Sequence, residues 1–501
     1  VLTAWLLRRR WWVPLLAFGL GALQSLAFAP FDLWPLGPLC LAALWLLWRG
    51  LPPGRAAWVG FFFSAGLFLS GTYWLYTSIH VLGKAPVALA LFLMLGLVAI
   101  MGSYTALLAA ILSRRERDDR LSHLLWVLPA SWVLMEWFRG WFLSGFPWLA
   151  VGYSQIDTSL VGYAPVFGIY GVSLVTSTIA GAIVALVVLG GWRRWVPVCV
   201  IAVLWGLGAV LARHAWTAPS APPLTVALVQ GAISQDLKWQ EDNRQESLAV
   251  YQRLTTEAYG SRLIVWPESA LPELYQEAVP YLANIYREAR SRHSDLLLGL
   301  IAYDADSSEL RNGLAALGDS EQWYYKRRLV PFGEFFPVPT FIRSWMRLKN
   351  MGFVDFSPGP RHQSPLVAAG QRVAATICYE DAYAVEQLDE LASATLLVNV
   401  SNDAWFGDST APHQHLQIAR MRAIEAGRWM MRATNNGISA VIDPTGRVVS
   451  RSHQFVPEVL RGEVTPYRGE TPYARLRNWP VLAWCAIGIL AVFVRRLRWR
   501  R

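Results

Sequence analysis

Four cysteines occur in the 501-residue chain, and Cys40, Cys199 and Cys485 lie inside long apolar runs, where a cysteine usually serves as a small buried apolar residue. Cys378 alone stands in a stretch of mixed polarity, at the end of the run Arg372 to Cys378 (RVAATIC) and followed by Tyr379, Glu380 and Asp381. A thiol is mostly protonated at neutral pH, so a nucleophilic cysteine needs a base and a neighbouring positive charge. Glu268, just after LIVW and Pro267, supplies a carboxylate. The segment Tyr325-Lys326-Arg327-Arg328-Leu329-Val330-Pro331-Phe332-Gly333-Glu334 supplies a lysine on an expected strand and a second glutamate past a Pro/Gly turn. Glu268, Lys326 and Cys378 together could move an acyl group. The carboxylate would take the thiol proton, while the ammonium and the backbone N–H of Tyr379 stabilise the oxyanion. Each residue alone has a duller reading: a helix cap, a surface ion pair, a core cysteine. His413 and His415 lack a cysteine or carboxylate cluster at ligand spacing, so packing or hydrogen bonding beside the site is expected of them. No phosphate-binding glycine loop or dinucleotide fingerprint is present, and no cofactor or metal is expected.

These residues need strands to hold them. Leu224 to Gln230, Leu263 to Trp266, Leu296 to Ala302, Arg372 to Cys378, Thr395 to Val400 and Ser439 to Ile442 read as short buried strands, with amphipathic segments at 241 to 259 and 275 to 293 between them. That alternation predicts an α/β layered domain over 214 to 477, opened by a proline-rich linker at 214 to 223. Glu268, Cys378 and the run Ser401-Asn402-Asp403-Ala404-Trp405 then fall at carboxyl ends of strands, where such folds place their sites.

The rest of the chain is too apolar for water. With 54% hydrophobic and 16% charged residues, the excess must lie in lipid. Eight apolar runs are expected to span a bilayer: 12 to 29, 34 to 48, 57 to 78, 86 to 113, 122 to 138, 160 to 189, 194 to 213 and 478 to 495. The first is read as a retained helix and not a signal peptide. Arginines crowd every second connection: Arg8, Arg9 and Arg10, then Arg49 and Arg55, then Arg114, Arg115, Arg117 and Arg120, then Arg193 and Arg194, and finally the tail from Arg495 to Arg501. The positive-inside rule puts both termini in the cytoplasm, residues 1–213 in seven spans, 214–477 on the far side, and 478–501 in an eighth span with a basic tail. The surplus of 45 Lys+Arg over 35 Asp+Glu is therefore a topology signal, and no nucleic-acid partner is expected. Charge within the spans is sparse, Glu136 being the main instance, which gives a transporter little support.

The motifs WPES at 266–269, YKRRLVPFGEF at 325–335, ICYED at 377–381 and SNDAWFG at 401–407 resemble the nitrilase (carbon-nitrogen hydrolase) superfamily, which carries a Glu-Lys-Cys triad on an αββα sandwich. With eight spans, and with AFAPFDLWPL at 27–36, GFPWLAVGYSQ at 145–155 and LRNWPVL at 476–482, the chain as a whole is similar to the apolipoprotein N-acyltransferases of the bacterial inner membrane. The resemblance implies Glu268 as proton acceptor, Lys326 as oxyanion lysine and Cys378 as nucleophile. It adds Glu334 as the residue orienting the lysine, and Tyr379, Glu380, Trp239 and Trp405 as supporting residues. The implied reaction takes the sn-1 acyl chain of a phospholipid, expected to be phosphatidylethanolamine, onto Cys378 as a thioester and passes it to the amine of an S-diacylglyceryl-cysteine on an apolipoprotein, without cofactor and in a periplasmic catalytic domain; nothing in the sequence demands more than a monomer. Arg327 and Arg328 have no role fixed by the resemblance and are open to contact with anionic headgroups. An aromatic segment (Phe332, Phe335, Phe336, Phe341, Trp345, Met346, Met351, Phe353) is too short to span and is expected to form an interfacial lid. The alternative is a membrane-tethered amidase acting on a small amide, for which eight spans and a lid have no evident use.

Overall fold

A computed structural model of the chain describes residues 12–113, 120–304, 307–335, 355–385 and 388–498. It divides into a helical unit (1–215, 406–417 and 475–501) and an α/β unit (216–405 and 418–474).

In the helical unit all eight apolar runs contain helix. We number the helices α1 (Trp12–Gln24), α2 (Leu36–Trp48), α3 (Pro53–Gly71), α4 (Val87–Ser113), α5 (Leu128–Arg139), α6 (Ala164–Val188) and α7 (Trp195–Arg213). Among the described residues, three helical stretches can cross a membrane by length and composition, Val87–Ser113, Ser159–Val188 and Gly191–Arg213. They become four if Pro53–Gly71 and Trp74–Leu82, bent by 54° at their junction, make one crossing. The other apolar helices are shorter, and α5 carries Glu136 and Arg139. Helices meet as they do in lipid, through small residues. A Cβ on Gly21 would stand 1.8 Å from the Phe63 carbonyl oxygen, so α1 and α3 touch backbone to backbone. Glu136 is buried, accepting from Trp132 Nε1 and Val151 N at 2.9 Å each, while the Arg139 guanidinium lies 4.9 Å from the Phe68 ring centre. The arginines at 8–10, 114, 115, 117, 500 and 501 lie outside the described residues.

The α/β unit is built on two six-stranded sheets. Its strands are β1 (Leu224–Gln230), β2 (Leu263–Val265), β3 (Asp295–Asp304), β4 (Glu309–Leu317), β5 (Glu321–Tyr325), β6 (Leu366–Ala368), β7 (Gln371–Ile377), β8 (Leu396–Ser401), β9 (Met430–Thr434), β10 (Ala440–Ile442), β11 (Val448–Arg451) and β12 (Glu458–Val464). One sheet runs β12-β1-β2-β3-β4-β5 and the other β11-β10-β9-β8-β7-β6. Strands β1, β2 and β3 are parallel, as are β7, β8 and β9, so their carboxyl ends collect at one edge of each sheet. Alternate side chains from both sheets, among them Val226, Leu228, Val265 and Leu314 facing Val373, Ala375, Val398 and Met431, form one buried core. The opposite face of the first sheet packs on α8 (Arg244–Ala258) and α9 (Tyr275–Ser291) through Tyr251, Leu254, Leu282 and Ile285. Helix α10 (Ala411–Ala426) buries Ile418, Met421 and Ile424, and α11 (Trp479–Arg498) returns to the helical unit. The layered αββα expectation is met. β1 runs over the residues expected, whereas β4, β6, β9, β11 and β12 were not anticipated.

Candidate active site

Glu268 follows β2 on a loop that crosses close over β3. Trp266 N donates to Leu297 O at 2.8 Å and Ala270 N to Gly299 O at 2.7 Å, and a Cβ on Gly299 would meet the Pro267 carbonyl oxygen at 2.1 Å. Only a glycine lets the loop sit this low. Its consequence is a carboxylate held 95% out of water, at 5% exposure, with both oxygens engaged. Oε1 accepts from Lys326 Nζ at 2.9 Å and Asn312 Nδ2 at 2.7 Å, and Oε2 from Asn402 N at 2.9 Å.

Lys326 is the residue after β5, one position past the strand on which it was expected, and Lys326 N still donates to Asn312 O (2.8 Å), the next position of the β4–β5 register, before the chain leaves the sheet. The turn at 330–335 folds back so that Glu334 faces the lysine: Glu334 N donates to Val330 O (2.9 Å), and Val330 N to Glu334 Oε2 (2.8 Å). Lys326 Nζ thus lies between two carboxylates, 2.9 Å from Glu268 and 2.8 Å from Glu334, while Asn312 Nδ2 also reaches Glu334 Oε1 at 3.1 Å. Burial alone would favour a neutral amine, but the charges of Glu268 and Glu334 outweigh it and hold the lysine well above its ordinary range. The ammonium is a fixed charge and cannot serve as a base.

Cys378 begins the turn after β7 with φ +53, a left-handed conformation costly for a residue with a Cβ. Glu380 offsets that cost. Its buried carboxylate accepts from Ile377 N (2.8 Å), Tyr324 OH (2.9 Å), Arg327 N (2.6 Å) and Arg328 N (3.1 Å), joining the cysteine turn to the lysine segment. Asn399 Nδ2 holds the Cys378 carbonyl at 3.4 Å, and Asn399 in turn is held by Arg432. Arg432, fully buried on β9, also pairs with Asp381 (3.4 Å) and Asp403 (2.9 Å). Cys378 as a residue is 9% exposed. Burial and the charge of Glu268 push it well above the ordinary thiol range, against the pull of Lys326. Cys378 therefore rests as a neutral thiol, and must lose its proton during attack.

The fold brings Glu268, Lys326, Glu334, Cys378 and Glu380 together, with Tyr379 against the Tyr383 ring at 5.2 Å. Trp239 and Trp405 are 52% and 40% exposed. Arg327 turns inward, contrary to a headgroup role: its Nε donates to Tyr324 OH at 3.1 Å, Nη1 donates to Arg361 O at 3.0 Å, and Nη1 also lies 3.2 Å from Glu390 Oε1. Arg328 is exposed and covers the Tyr383 ring. His415 packs on Trp148 in the helical unit, and among the described residues no cluster of His, Cys, Asp and Glu could hold a metal. Of the aromatic segment, Phe332 is exposed and Phe335 half-buried; Phe336, Phe341, Trp345, Met346, Met351 and Phe353 lie outside the described residues. Sequence reasoning placed Asn402 at the site within the run 401–405 but missed Asn312, Arg432 and Lys238. The available signal was a polar residue in an otherwise apolar strand, as Asn312 is within LRNGLAAL.

Two family models match the chain: the apolipoprotein N-acyltransferase N-terminal domain over residues 20–182 and carbon-nitrogen hydrolase over 225–473. Apolipoprotein N-acyltransferase of Azotobacter vinelandii is 44% identical over 99% of this chain and 98% of its own length. That of Pseudomonas putida is 42% identical over 96% and 97%. Among solved structures, an amidase from Nesterenkonia sp. matches 52% of this chain and 94% of its own at 19% identity, with a TM-score of 0.35. On the near-full-length identity to its relatives, this chain belongs to the apolipoprotein N-acyltransferase family.

Proposed function

We propose that the protein transfers the sn-1 acyl chain of a phospholipid, with phosphatidylethanolamine as the expected donor, through Cys378 to the N-terminal amine of S-diacylglyceryl-cysteine on apolipoproteins. The observation carrying this reading is the lysine clamped between Glu268 and Glu334 in the site that also holds the buried Cys378. In the first half, the Cys378 sulfur bonds to the ester carbonyl carbon as Glu268 takes the thiol proton. Lys326 stabilises the oxyanion. The ester C–O bond then breaks, and Glu268 gives its proton to the departing lysophospholipid oxygen, leaving a thioester. In the second half, the neutral amine bonds to the thioester carbon, the C–S bond breaks, and Glu268 relays the released amine proton to the sulfur. Glu334 orients the lysine, Glu380 fixes the cysteine turn, and Tyr379, Trp239 and Trp405 border the entry for substrate.

Both substrates are anchored in lipid. Helices of crossing length and the exposed Phe332, Trp239 and Trp405 support a site at the membrane surface. The alternate arginine connections support eight spans with both termini in the cytoplasm of a bacterial inner membrane and a periplasmic catalytic domain at 214–477; one chain carries the whole Glu-Lys-Cys set, which supports a monomer as working unit. The test is intact mass of the full-length protein after incubation with phosphatidylethanolamine. An acyl adduct that is absent from Cys378→Ser and discharged by a diacylglyceryl-cysteine peptide is expected. No adduct on the wild-type protein would refute the mechanism, and prompt hydrolysis without an amine would favour an amidase.

A further inference from the structure

Lys238 ends the short helical turn Gln235–Lys238 and is fully buried. Its Nζ donates to the carbonyl of Ser269, the residue after Glu268, and the same ammonium lies 6.0 Å from the ring centre of the exposed Trp239. An ammonium has three N–H donors, and Ser269 O is the hydrogen-bond acceptor it finds among the described residues. The turn is also tied to the base by a second route: Asn402 Nδ2 donates to Gln235 Oε1 (2.8 Å) while Asn402 N donates to Glu268 (2.9 Å). Asn435 completes the connection, accepting from Ile233 N (3.2 Å) and donating to Asn402 Oδ1 (3.1 Å).

Charge counting gives this placement a purpose. With Glu380 facing Arg327, Glu268 and Glu334 bring two further negative charges into a buried site, and Lys326 returns one positive charge. Lys238 supplies the other. Of the charged groups around it, Glu268 acts on it directly, with Lys326 and Glu334 one hydrogen bond further. Glu273, on the loop of Glu268, is taken up by Arg244 (2.8 Å), and Asp236 is bonded to Ser234. We infer that Lys238 is a positioning residue for the acyl transfer, anchoring the Glu268 loop through Ser269 and returning Glu268 to its carboxylate form after each proton transfer. A cation beside a protonated carboxyl favours release of that proton, here toward the departing oxygen of the donor lipid. The inference rests on the Glu-Lys-Cys reading above. Burial pulls Lys238 down to about 8, against the opposing charge of Glu268, so its charge is present below that pH and lost above it.

The test is the single-turnover rate of Cys378 acylation by phosphatidylethanolamine in detergent, without acceptor, followed by intact mass from about pH 6 to about pH 10. The full-length wild-type protein, Lys238→Arg and Lys238→Met are compared. The wild-type rate is expected to fall as pH passes about 8; Lys238→Arg, whose guanidinium stays charged, lacks that fall. Lys238→Met is slowed about tenfold or more at neutral pH with an unchanged KM for the lipid. A wild-type profile with no alkaline fall, or Lys238→Met acylating at the wild-type rate, overturns the assignment. If Lys238→Arg does not fold, those two measurements decide alone. A wild-type protein that takes no acyl group refutes the Glu-Lys-Cys reading itself.

Discussion

Replacing Glu380 by glutamine tests how the nucleophile is held. The carboxylate accepts two donors on each oxygen, Arg327 N and Arg328 N on Oε1, Ile377 N and Tyr324 OH on Oε2. A glutamine keeps one oxygen, and its NH2 must face the other pair of donors. Two hydrogen bonds to a charged acceptor are lost, each worth about 1.5–3 kcal/mol, for a total of about 3–6 kcal/mol. Part of this is returned, because burial disfavours the charged form of Glu380 and drives its carboxyl above the ordinary range. The lower end, about 3 kcal/mol, is the expected net loss. For a unit of this size that lowers the melting temperature by roughly 6–12 °C. Thermal unfolding of the full-length protein in detergent measures this, and maleimide labelling of Cys378 reports the freed turn by faster reaction. Glu380→Gln that melts within about 2 °C of wild type and acylates at the wild-type rate would show that Glu380 does not hold the cysteine turn.

Gly299→Ala forces a Cβ toward the Pro267 carbonyl, which can only be relieved by lifting the Glu268 loop; acylation is expected to fall about a hundredfold or more, read by intact mass. Arg432→Met leaves Asp381 and Asp403 as uncompensated buried carboxylates, a loss of about 3–5 kcal/mol that thermal unfolding should register. Burial raises the Glu390 carboxyl to about 8 despite Arg327, so the folded state binds its proton more tightly than the unfolded chain does. Stability is then lost as pH rises from the ordinary carboxyl range to about 8. Glu390→Gln should flatten that part of the melting-temperature profile, and an unchanged slope would count against it.

Much of the site was legible because its chemistry sits at the ends of apolar runs. LTVALVQ is a strand over its whole length, and ICYED and WPES mark turns after strands. What was hidden depends on partners remote in the chain. MMRAT reads poorly as a central strand because of Arg432, yet all its residues are buried, the two terminal nitrogens of the arginine held by Asp381, Asn399 and Asp403. EVLRGEV alternates too weakly to mark an edge strand until β1 pairs with it. Lys238 sits in a polar turn next to an exposed tryptophan, and nothing local announces its burial; the Ser269 carbonyl that holds it is 31 residues away. The inward turn of Arg327 likewise requires Tyr324, Arg361 and Glu390, of which only Tyr324 is near in sequence.

The neutral resting state of Cys378 bears on how the enzyme endures. Oxidants and disulfides react with thiolates, and a thiol kept protonated on a buried residue presents little of that form. A cysteine activated only when a carbonyl is in place can stay reduced between turnovers without a resolving partner. Shelf life in air and catalytic readiness are thereby decoupled: variants that raise the resting thiolate fraction should gain reactivity toward peroxide before they gain any rate of acyl transfer.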